Sequence, residues 1–139
     1  MELRMDITAF PLFWRWTQPS YSVLPADALE TLCPLETELV DLLCASAPKT
    51  LGPRTIKHHA TENTDETRRW LASLPVPVSR VVIAWGRDTA LSLPWDIFVT
   101  YWSDFCYPSS DDVDVFVEGG PVVLRWHHDE TFEYDADAL

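Results

Sequence analysis

Asp112-Val-Asp-Val-Phe-Val-Glu-Gly-Gly-Pro-Val-Val-Leu-Arg-Trp-His-His-Asp-Glu-Thr-Phe-Glu-Tyr134 is the stretch from which the fold is read. Val113, Val115 and Val117 alternate with Asp112, Asp114, Phe116 and Glu118, the period of a half-buried strand. Gly119-Gly120-Pro121 supplies a turn, and Val122, Leu124 and Trp126 then alternate with Val123, Arg125 and His127. After a His128-Asp129-Glu130 turn, Thr131 to Tyr134 adds a third strand. Strands joined by turns this short pair antiparallel.

Upstream, Pro94 opens a helix. Trp95, Phe98, Val99, Trp102 and Phe105 fall on one broad aromatic face, with Asp96, Thr100, Ser103 and Asp104 opposite. Before it, Val81-Val-Ile-Ala-Trp85 reads as a buried strand, Gly86-Arg87-Asp88 as a turn, and Thr89 to Leu93 as a returning strand. Asn63, with Glu66 three residues later, caps a helix whose face is Trp70, Leu71 and Leu74, and which Pro75 and Pro77 end. Pro48 to Thr61 carries Pro48, Gly52, Pro53 and His58-His59 without clear periodicity and is expected to be a loop. Two further helices are expected, one over about Ala26 to Leu32 and one from near Pro34 with Leu35, Leu39, Leu42 and Leu43 as its stripe. Pro19, Ser20 and Pro25 mark a turn, and Phe10 to Trp16 is expected to lie as an extended strap or edge strand across the core. The expectation is one α+β domain over residues 1–139: N-terminal helices packed on an antiparallel sheet, in the order α-α-α-β-β-α-β-β-β.

At 139 residues with 47% apolar content, the chain is long enough for a single core. Most of its seven tryptophans are expected to lie in that core. The net charge of −12 is uneven: residues 80–139 hold twelve acidic and three basic groups. Such a half repels phosphate backbones and anionic membrane surfaces and attracts a basic partner, so neither nucleic acid nor membrane is expected to bind. Cys33, Cys44 and Cys106 are odd in number, with no C-x-x-C pair, which argues against a disulfide framework or structural zinc. Met1 to Phe10 lacks a basic segment followed by an apolar run, and no stretch approaches the ~20 apolar residues of a membrane span. A cytoplasmic location is expected.

Chemistry-bearing constellations are sparse. His127-His128-Asp129 offers metal ligands, but neighbouring strand residues point to opposite faces, and Asp111, Asp112 and Asp114 lack the spacing of a calcium loop. Cys106, set between Phe105 and Tyr107, reads as a buried thiol and not as an activated nucleophile. The carboxylates fall on solvent-facing strand positions and turns, without the apolar pocket that acid–base work needs. No cofactor or metal is called for. What remains is an acidic surface around aromatic residues on a small scaffold, suited to binding a basic protein. The candidate contact residues are Asp111, Asp112, Asp114, Glu118, Trp126, Asp129, Glu130 and Glu133. A small enzyme or ligand-binding domain, with a pocket between the Trp95–Phe105 helix and the sheet, is the alternative; a regulatory or scaffold module is a third.

Residues 80–139, with the Val81–Trp85 strand, Trp95-x-x-Phe98-x-x-x-Trp102-x-x-Phe105, Pro108-Ser-Ser-Asp-Asp112 and the terminal hairpin, resemble small bacterial domains in which a strand pair, a Trp-rich helix and an Asp-rich hairpin recur. They are also similar to bacterial immunity proteins, the cognate inhibitors of secreted antibacterial toxins. That resemblance implies a non-catalytic domain that neutralises a basic toxin domain by occluding its active site.

Overall fold

The computed structural model describes residues 7, 10–18, 24–45, 47, 51–76, 79–86 and 89–137. A short 3-10 turn, Phe13–Trp16, is followed by α1 (Ala26–Leu29), β1 (Cys33–Pro34), α2 (Thr37–Ala45), β2 (Thr55–His59) and α3 (Thr64–Ser73). Then come β3 (Arg80–Trp85), β4 (Ala90–Pro94), α4 (Trp95–Thr100), α5 (Trp102–Phe105), β5 (Val113–Val117), β6 (Val122–His127) and β7 (Thr131–Asp135). All seven strands join one antiparallel sheet in the order β1-β4-β3-β5-β6-β7-β2.

Helices cover both faces of this sheet. On one face Val81, Ile83, Leu91, Leu93, Val115, Leu124, Trp126 and Phe132 form a core with Leu71 of α3, Phe98 of α4, Trp102 and Phe105 of α5, and Phe10 and Trp16 of the N-terminal segment. On the other, Val82, Ala84, Ala90, Phe116 and Val122 pack under Leu35, just after β1, and Val40 of α2. Being covered on both sides explains why β3 reads as an unbroken apolar run and not as an alternation. Indole N–H groups fasten the helical layer from within: Trp16 donates to the Asp104 carbonyl at 2.9 Å, Trp85 to that of Phe105 at 2.9 Å, and Trp102 to that of Thr64 at 3.1 Å.

The mixed α+β class is as expected, but the element order is not. The N-terminal half contributes two strands, and the helices are few and short. Cys33–Pro34 pairs with β4 before α2 begins, and α1 stops at Leu29. The expected loop at Pro48 to Thr61 contains β2, which pairs with β7 along its whole length. The aromatic helix is two pieces, broken at Tyr101 (φ −116°, ψ 27°). Phe13–Trp16 is a 3-10 turn and not an extended strap or edge strand, although the segment does lie against the core, with Phe10, Arg15 and Trp16 buried. The Asn63 cap is formed as read, its side chain accepting from the Glu66 N–H at 3.1 Å.

The β5–β6 hairpin matches its reading in position, but the expected alternation is broken at the start of β6. Val115 faces Leu124 whereas Phe116 faces Val122, so Val123 is an extra residue in a bulge, and both Val123 and Leu124 join the aromatic-face core. Its turn requires glycine: Gly119 has φ 76°, and a Cβ at Gly120 would come within 2.4 Å of a Val117 methyl. The turns expected at Pro19-Ser20 and at Arg87-Asp88 lie outside the described residues, as does the end of the acidic tail.

Candidate functional site

Three loops meet at one end of the sheet. The loop after α5 is tied to the β6–β7 turn by Ser109 N–H donating to the His128 carbonyl at 2.9 Å. That turn is tied to the end of β2 by Ala60 N–H donating to the Glu130 carbonyl at 2.8 Å. Asp112, Asp129 and Glu130 are exposed on the first two loops, and Glu62 is exposed on the third, followed by Asp65 and Glu66 in the first turn of α3. Asp65 pairs with Arg68. Among the described residues, two other than glycine take left-handed backbone angles, Ser109 (φ 69°) and Glu130 (φ 70°), and both sit in these loops.

The N-terminal strap completes this end. Arg15 forms a two-pronged ion pair with Asp111, at 2.7 and 2.9 Å, and its guanidinium lies 4.0 Å from the centre of the Tyr107 ring. Next to it Trp14 is 38% exposed and flanks the same guanidinium at 5.7 Å. An acidic end thus has an exposed indole beside it.

His128 adds a titrating group. Its ring and its backbone N–H both contact the Asp112 carboxylate at 3.0 Å. That hydrogen bond, and then the carboxylate charge, holds the imidazole above its ordinary value. Partial burial works to raise the Asp112 carboxyl, but the hydrogen bonds from His128 outweigh it and the carboxyl lies below its usual range.

The eight residues picked from sequence do not form one surface. Asp112, Asp129 and Glu130 share the acidic end. Asp111 is 6% exposed and sealed by Arg15 and by the Tyr107 N–H at 3.0 Å, and Trp126 is 2% exposed against Trp102 and Phe132. Both are structural, which corrects the expectation that they face a partner. Glu118 lies at the opposite end of β5, about 20 Å along the strand by its residue count. There it accepts from Ser92 Oγ at 2.8 Å and faces Arg80 at 3.7 Å. Its field therefore does not add to that of Asp112. Asp114 and Glu133 belong to a cross-strand row on the α2 side of the sheet, Asp114–Arg125–Glu133–Lys57, in which Asp114 binds Arg125 at 2.8 Å and Glu133 also contacts His127.

The contact residues chosen from sequence omit Glu62, Trp14 and Tyr107, and His128 enters there only as a metal ligand and turn residue. These four come from separate segments, brought together by the sheet order and, for Trp14, by the Arg15–Asp111 ion pair.

The pocket expected between the aromatic helices and the sheet is filled by Phe98 and Phe105, both fully buried. One cavity, about 260 Å³, borders α4 on its α3 side, lined by Ala72, Trp95, Asp96, Val99 and Thr100, and two lie on the α2 side of the sheet. One of about 270 Å³ opens between the end of α2 and the sheet, lined by Cys44, Ala84, Gly86, Asp112, Asp114 and Arg125. Another, about 260 Å³, sits under Leu35, Leu39 and Leu43. Cys106 is buried, and burial, reinforced by the Asp111 charge, pushes its thiol well above the ordinary range. Among the described residues, no three His, Cys, Asp or Glu side chains are placed to hold one metal ion. None of the described helices is long and apolar enough to cross a membrane. The chain matches no protein-family model, no curated protein and no solved structure.

Proposed function

We propose that this chain is a non-enzymatic, acidic protein-binding domain of the immunity type, which neutralises a basic bacterial toxin domain in the cytoplasm by covering its active site. The observation that carries this reading is the acidic end: Asp112, Asp129, Glu130 and Glu62 on loops hydrogen-bonded to one another, beside the exposed Trp14. Carboxylates presented together accelerate encounter with a cationic surface, and a solvent-facing indole is the usual kind of anchor once contact is made. The two left-handed residues support the same reading, because backbone strain of about 1–3 kcal/mol per residue persists where loop shape is used.

The test is affinity capture on the immobilised chain at low salt, with the bound protein identified and its affinity then followed against ionic strength. A captured protein with a basic domain, whose affinity falls steadily with added salt, is the expected result. Capture of neutral or acidic partners alone, with affinity indifferent to salt, overturns it.

A second reading has one observation in its favour. The 270 Å³ cavity presents Arg125 beside Asp112 and Asp114, a lining suited to a small zwitterionic molecule. Calorimetry with free amino acids tests it, since binding abolished by Asp114→Ala supports a ligand site and no heat at millimolar concentrations removes it.

A further inference from the structure

The sheet ends in two unlike edges. β1 has two residues, whereas β2 has five, held on one side by β7 and paired with nothing on the other among the described residues. Ala60 N–H donates to the Glu130 carbonyl, and Ala136 N–H to that of Arg54. The hydrogen-bonded positions of this ladder therefore include Ile56 and His58, and the backbone groups of Thr55, Lys57 and His59 turn outward. An open row of this kind is a template for another strand. At its centre Ile56 is 48% exposed, one of three large apolar side chains so exposed among the described residues. It ends the cross-strand row Val115–Leu124–Tyr134–Ile56, which stops at the edge with no neighbour.

We propose that β2 pairs antiparallel with β2 of a second copy of this chain, around a two-fold axis at Ile56. Charge and shape select that register. Placing Lys57 opposite itself sets like charges face to face, which is unfavourable. Placing His58 opposite itself sets the exposed Ile56 against Ala60, whose side chain is buried and offers it no apolar cover, and sets Lys57 against His59. With Ile56 opposite itself, Thr55 faces Lys57 of the second copy, and the apolar row runs on through both isoleucines into Tyr134 of that copy. The charged row Asp114–Arg125–Glu133–Lys57 continues to Thr55 of the second copy, so Lys57 has Glu133 on one side and a neutral hydroxyl on the other, with Asp135 of the second copy one strand further on. This pairing is independent of the acidic end and responds to salt in the opposite sense. Two copies of net charge −12 repel, so screening strengthens their association whereas it weakens attraction to a basic protein.

Sedimentation and cysteine crosslinking test this together. In 0.5 M salt the mass should rise from one copy to two between about 10 and 500 µM, the range of a small contact, and Ile56→Asp should stay monomeric with unchanged circular dichroism. In a Cys33→Ser, Cys44→Ser background, Ile56→Cys should oxidise readily to a covalent dimer. Facing residues at a non-hydrogen-bonded site lie about 4.5 Å apart, within disulfide reach. Lys57→Cys, about 7–8 Å from its own copy in this register, should crosslink at least ten-fold more slowly. A chain monomeric throughout, or Lys57→Cys crosslinking as fast as Ile56→Cys, overturns the proposal.

Discussion

Asp111 and Asp112 are neighbours with opposite fates. Asp111 is enclosed by Arg15, Tyr107 and Ser110, and it clamps the N-terminal strap to the loop before β5. Truncating one partner of a buried ion pair strands the other charge, at a cost of about 3–5 kcal/mol. Asp111→Ala should therefore lower the unfolding free energy by about that amount, measured by urea denaturation; a loss under 1 kcal/mol would show that the strap is not held there. Asp112 is exposed, and its effect is read in His128. The Asp112 hydrogen bond raises His128, so its protonation favours the fold, a contribution complete below pH 6.5 and lost as pH rises through the raised value. His58 is the reverse case: burial, opposed by the Glu66 charge, lowers it where it stacks on Trp70 and meets Thr67 Oγ at 2.9 Å. The stability tied to its neutral form is present above pH 6.5 and lost as pH falls toward the lowered value. Histidine NMR titrations should place His128 above and His58 below 6.5, with Asp112→Asn returning His128 toward 6.5 and leaving His58 alone. An unmoved His128 would deny the contact.

At the scale of elements, the β6–β7 turn trades stability for shape. Glu130 occupies a left-handed conformation that glycine adopts without strain. Glu130→Gly should raise stability by about 1 kcal/mol in thermal unfolding while weakening partner binding through the lost carboxylate. A stability loss would mean the side chain holds the turn. The hairpin, β3 and the α3 cap were legible because alternation, β-branched runs and a capping pair are local signals. β2 was not. Thr55-Ile-Lys-His-His59 has one apolar residue, itself half exposed, because an edge strand on β7 has little core to face. The break at Tyr101 was invisible for the opposite reason. Trp102 and Phe105 return to the same buried layer after it, so the apolar spacing of a continuous helix survives, with no Gly or Pro to mark the interruption.

Over the whole molecule, charge is sorted by topology and not by sequence half. Of the twelve acidic residues in 80–139, Asp111 and Asp114 are matched by arginines, and Glu118 lies at the far end beside Arg80. Asp112, Asp129 and Glu130 gather with Glu62, from the other half of the chain, where the strand ends bring their loops together. This is the part of the site that sequence could not show: the carboxylates were countable, but which of them share an end depends on β2 joining β7. If the acidic end recruits the partner, location matters and net charge alone does not. The most direct measurement compares partner affinity for Asp112→Lys/Asp129→Lys/Glu130→Lys with that for Glu36→Lys/Glu38→Lys/Asp41→Lys on and before α2, two variants with the same change in net charge. The first should weaken binding by about 100-fold or more with little change in melting temperature, and the second by less than about five-fold. Equal losses in both, or none in the first, would contradict the account.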